Sequence, residues 1–79
     1  MAAKAFVLIE VAVGKDKEVI AALSRLKGVK SADSVTGPYD MIAVIEGQDL
    51  NDIGDLVTAK IGRITGITRT VTCLAIKGT

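Results

Sequence analysis

Residues Ala5–Val13, AFVLIEVAV, are apolar at every position but Glu10, and the run stops at Gly14. A short apolar run rich in β-branched residues suits a strand covered on both faces. From Lys15 to Lys27 the apolar positions Val19, Ile20, Leu23 and Leu26 recur at helical spacing, with Lys and Arg toward the end and Gly28 as the stop. That spacing predicts an amphipathic helix. The next stretch, VKSADSV from Val29 to Val35, is polar and weakly patterned, ahead of the Thr36-Gly37-Pro38 turn. It reads as an edge strand blunted by its polar side chains.

Asp40–Glu46 predicts a second strand apolar on both sides, with Met41, Ala43 and Ile45 on one and Ile42 and Val44 on the other, ended by Gly47. Asp49 can then cap a helix whose inner face is Leu50, Ile53, Val57 and Ile61, as far as Gly62. Gly54 inside that helix costs about 1 kcal/mol relative to Ala, and close packing is the simplest reason for it. GITRTVTCLAIK, Gly66–Lys77, alternates as a long strand does: Val71, Cys73 and Ala75 against Thr70, Thr72, Leu74 and Ile76.

The order βαββαβ is the ferredoxin-like plan in the α+β class, a four-stranded antiparallel sheet with both helices on one face. The other face stays bare, yet three of the four strands carry apolar side chains on both sides. Such a patch exceeds what a monomer usually exposes, and no third helix is available to cover it. A sheet-to-sheet homodimer is the simplest cover.

With 79 residues the chain is one domain, 1–79, near the lower size at which one core suffices, so burial against a partner would help it. Net charge is +1 with no basic block, and aromatic residues are only 3%, Phe6 and Tyr39. A nucleic-acid surface would need positive charge or stacking rings, so direct DNA contact is not expected. There is no secretory signal pattern and no apolar run approaching the ~20 residues that span a bilayer. One cysteine and no histidine exclude an internal disulfide and a Cys-only metal cluster, and fit a reducing cytoplasm.

The same inventory leaves little for catalysis. Glu10, Asp40, Glu46 and Asp52 fall on different elements with no acid–base pairing. Cys73 lies mid-strand among Val71, Leu74 and Ala75, where a packed thiol is expected. No enzyme activity, metal or cofactor is expected. What remains is Thr36-Gly37-Pro38-Tyr39-Asp40, which can offer backbone N–H donors, a phenol and a carboxylate, the parts needed to hold a zwitterion. The hydroxyls of Thr70 and Thr72 share one strand face and could complete such a site. By chemistry alone the same turn could equally be a connector.

The pattern TGPYD (Thr36–Asp40), KIGRITGI (Lys60–Ile67) and TRTVT (Thr68–Thr72), within a match over essentially the whole chain, resembles the effector-binding domain of the Lrp/AsnC regulators, the RAM domain. The resemblance implies a ferredoxin-like fold that dimerises through its sheets, dimers assembling into an octamer or decamer ring, and a small amino acid bound between them. It assigns ligand contacts to Gly37, Tyr39, Asp40, Thr70 and Thr72. It also implies a part in amino-acid-responsive transcriptional regulation, with full-length relatives as partners.

Full-length members carry an N-terminal helix-turn-helix domain, for which this sequence shows no counterpart before its first strand. It therefore reads as a stand-alone version or an excised domain, and the start MAAKAF favours a natural short protein. Three other readings of the same order are an ACT-type regulatory domain, a cofactor-free monooxygenase and a ligand-free assembly protein. The first would want its glycine-rich turn after the first strand, where only Gly14 stands, and the second usually needs His, Trp or Asn in the sheet, whereas His and Trp are absent and the one Asn, Asn51, falls in a helix.

Overall fold

The computed structural model describes residues 2–76. Strands β1 (Ala3–Val11), β2 (Val29–Ser34), β3 (Met41–Gly47) and β4 (Ile67–Leu74) form one sheet in the order β2-β3-β1-β4. Every neighbouring pair is antiparallel. Helix α1 (Asp16–Ser24) joins β1 to β2, and α2 (Leu50–Asp55) follows β3. This is the ferredoxin-like βαββαβ arrangement.

Strand alternation decides which residues make the core. Ala5, Val7 and Ile9 of β1 stand in register with Ile45, Ala43 and Met41 of β3. All six are fully buried, beneath Val19 and Leu23 of α1 and Ile53 and Ile61 of the second helical segment. Each large side chain among them contributes about 1.5–3 kcal/mol by leaving water. Asp16 and Glu18 in the first turn of α1 lie where the helix dipole favours negative charge. Asp49 caps α2 as expected, its Oδ1 accepting the Asp52 N–H at 3.0 Å.

Several boundaries and side-chain environments differ from the expectation. β1 is shifted toward the N-terminus and ends at Val11, after a register shift between Glu10 and Val11. There Ala12 donates its N–H to the Gly66 carbonyl at 2.7 Å, and Val13 is left wholly exposed in the loop. β2 stops at Ser34 and β4 at Leu74, while the Lys77 end of the expected last strand lies outside the described residues. The second helix is not uniform: α2 passes into a π turn over Leu56–Lys60 and a 3-10 turn over Ile61–Arg63. Leu50, expected inside, is at the helix start and 62% exposed.

Gly54 is not there for close packing, because a Cβ at that position would meet nothing within 4 Å. Cys73 is exposed rather than packed, since it stands opposite Phe6 on the sheet face that carries no helix. That face also holds Leu8, Ile42, Val44 and Val71, all half-buried, with Glu10 and Arg69 paired across it at 3.7 Å.

Candidate functional site

The turn before β3 is shaped by one backbone requirement and fixed by one carboxylate. Gly37 has φ of 133°, a conformation that side chains rarely adopt, while a Cβ there would find open space. The glycine is therefore needed for its backbone and not for room. Val35 donates its N–H to the Asp40 carbonyl at 3.0 Å and closes the turn, and Asp40 donates its own N–H to the Ile9 carbonyl at 2.9 Å. The Asp40 side chain reaches across to β1, where Oδ2 accepts the Val11 N–H at 2.8 Å. That donor lies on the β3 side of β1, just past the last β1–β3 pair, Ile9 with Met41, so the carboxylate satisfies an amide beyond the end of that ladder. Asp40 itself remains exposed and Tyr39 is half-buried.

Gly37, Tyr39 and Asp40 are thus held together at one corner of the sheet. Thr70 and Thr72 are not with them. They lie opposite Ile9 and Val7 on β4, on the helix side and beyond β1. Asp40 and Thr70 are separated by two strand spacings, about 10 Å. Neither of the two concavities described next is lined by both the turn and the threonines. Val11, whose amide fixes Asp40, was not legible as a site residue, because its role comes from its backbone N–H at the end of the β1–β3 ladder and not from its side chain.

Two concavities lie elsewhere. A cleft of about 700 Å³ at the opposite end of β3 is bordered by Lys27, Lys30, Lys60, Glu46, Asp52 and Asp55. Its charges balance, and Lys30 and Glu46 already approach one another at 4.0 Å. The second, about 370 Å³, is apolar and runs between α2 and β4, where Thr72 meets Ile53, Val57 and Leu74. Among the described residues no three carboxylate, thiol or imidazole groups gather closely enough to hold a metal. No described helix is long and apolar enough to cross a membrane.

Comparison with known proteins adds to this geometry. The family model of the Lrp/AsnC ligand binding domain matches residues 4–79. The crystal structure of FFRP-DM1 is similar at 38% identity and a TM-score of 0.89, over 94% of this chain and 99% of that one. TTHA0845 from Thermus thermophilus is similar at 35% identity and a TM-score of 0.91, over 98% and 96% of the two chains. The complex of the transcriptional regulator NMB0573 from Neisseria meningitidis with L-Met has a TM-score of 0.84 at 19% identity, over 95% of this chain and 50% of that one. At that identity the likeness is one of fold. None of the curated proteins matches this chain. Between the RAM and ACT readings of the βαββαβ order, the family match decides for the former.

Proposed function

The chain belongs to the Lrp/AsnC ligand binding domain family, and from that premise we propose that it is a non-catalytic module that binds a free amino acid and assembles through its bare sheet face. The observation that carries this reading is the Asp40 carboxylate, held in place through Oδ2 at 2.8 Å. Among the described residues no protein donor bonds its other oxygen, which is thereby available to an ammonium group. Gly37 and Tyr39 supply the neighbouring backbone and phenol. Thr70 and Thr72 lie beyond β1, so they can touch the same ligand only from another protomer. A ligand seated between protomers would favour the assembly that completes its site. The L-Met bound by the Neisseria regulator supports an amino acid as the class of effector.

The partner in this reading is a second copy, meeting Leu8, Ile42, Val44 and Val71 face to face, with further assembly into a ring and mixing with full-length relatives in the cytoplasm. The bond from Val11 to Asp40 also favours a second reading, in which the turn is a fixed connector and the protein a ligand-free assembly partner. Thermal denaturation against each free amino acid separates the two. An effector at ~100 times its Kd stabilises by ~2.7 kcal/mol, so a raised melting temperature with one chemically related group of amino acids is expected. Unchanged melting with all of them would leave the connector reading.

A further inference from the structure

On the helix side of the sheet, α2 packs chiefly over β1 and β3, while β4 meets the 3-10 turn Ile61–Arg63 that ends the same helical segment. Between α2 and β4 this opens the apolar groove of about 370 Å³. Ile53 is 3% exposed at its base, while Leu50 and Leu74 stand at its rim, 62% and 47% exposed. Val57, Thr58 and Thr72 complete the lining, and no charged side chain contributes to it.

Gly54 makes the groove deeper than the helix requires. It does not adopt positive φ, and a Cβ there would meet nothing within 4 Å, so neither backbone conformation nor packing calls for glycine. Glycine in a helix is nonetheless unfavourable relative to alanine. Its one local consequence is the hollow left in the groove wall. One turn further on, Thr58 donates its hydroxyl to the Gly54 carbonyl at 2.9 Å. That commits the hydroxyl proton and leaves the oxygen as an acceptor at the groove.

We propose that this groove binds a small, neutral, largely aliphatic molecule carrying one hydrogen-bond donor. An uncharged concavity of this size, apolar with a few hydroxyls, falls within the ~300–1,000 Å³ of small-molecule sites. Walls without charge offer an ionic ligand no counter-charge, so they select for neutrality. The groove lies on the face opposite the one a sheet-to-sheet dimer would cover and stays open in that dimer. It shares Thr72 with the effector site proposed above, beside which it therefore lies, and uses none of Gly37, Tyr39 and Asp40.

The test is saturation-transfer NMR on the full chain with three probes of one shape: cyclohexanol, cyclohexylammonium and cyclohexanecarboxylate. Transfer to cyclohexanol should exceed transfer to either ion. Gly54→Leu, which fills the hollow, should weaken cyclohexanol binding roughly tenfold or more, a clear change in affinity. If that variant does not melt cooperatively, Thr58→Val, similar in shape but without an acceptor, should weaken cyclohexanol in its place. Asp40→Ala should leave cyclohexanol binding unchanged, which keeps this site's failure distinct from that of the effector site. Equal transfer to all three probes, or cyclohexanol binding unaffected by Gly54→Leu, would overturn the proposal. So would a fall in native mass on Gly54→Leu, which would make the groove a contact between copies.

Discussion

Asp40 has two duties in this reading, and two substitutions separate them. Its backbone bonds to Ile9 and Val35 survive any side chain, so Asp40→Ala removes only the contact from the Val11 N–H, 2.8 Å long. A bond from an amide to a charged acceptor contributes about 1.5–3 kcal/mol when desolvated. Asp40 is exposed and water can reach the freed N–H, so the expected loss is nearer about 1 kcal/mol. For a domain of this size that lowers the melting temperature by about 4–8 °C. Asp40→Asn keeps an acceptor oxygen at the same place and should lose only a few tenths of a kcal/mol. Both variants lack the charge for an effector's ammonium, and calorimetric titration should show affinity reduced about tenfold or more in each, about 1.4 kcal/mol of binding energy. Wild-type affinity in Asp40→Asn would refute the ionic role, and an unchanged melting temperature in Asp40→Ala would refute the structural one.

Val44→Asp places a charge on the bare sheet face opposite Phe6. If the proposed face-to-face dimer forms, native mass spectrometry should show its loss in this variant, and a dimer that persists would place the contact elsewhere. Gly66→Ala should destabilise by about 2 kcal/mol or more in a denaturant titration, because the site has φ of 105° and the new Cβ would stand 2.9 Å from Lys15 Cβ and 3.1 Å from Val19 Cγ2. Stability equal to wild type would mean that the β4 entry can relax around the added carbon.

How far the sequence discloses the fold depends on which signal each residue carries. Periodicity located β1, α1, β3 and β4, because Ala5, Val7, Ile9, Met41, Ala43 and Ile45 must alternate to reach one core. The polar run in Lys30–Ser34 marked β2 as an edge, which the strand order bears out. Apolarity alone misled at Val13 and Leu50, since it says that a residue can be buried and not that anything lies above it. Cys73 misled for the same reason. The π turn at Leu56–Lys60 was not read from the sequence, although Ile53 and Ile61 on either side of it both reach the core as their spacing predicted. At the turn, Gly37 and Asp40 stood out by type, whereas the Val11 amide that holds Asp40 is a backbone group just past the end of the β1–β3 ladder, which no side-chain pattern announces.

The strand order carries a kinetic consequence. β1 is the first strand made, yet it lies between β3 and β4 and has no neighbour adjacent in sequence. The Thr68 hydroxyl meets the Glu10 carbonyl across 58 residues of chain, so a long loop must close before the sheet is complete. Pairings of such separation slow folding, because chain entropy is lost before the contacts form. During that interval β1 stays unpaired along both edges, with apolar residues on both faces, and is open to capture by other nascent chains. Substitutions that weaken β4 should therefore lower the yield of folded protein at high synthesis rates more than they lower its equilibrium stability.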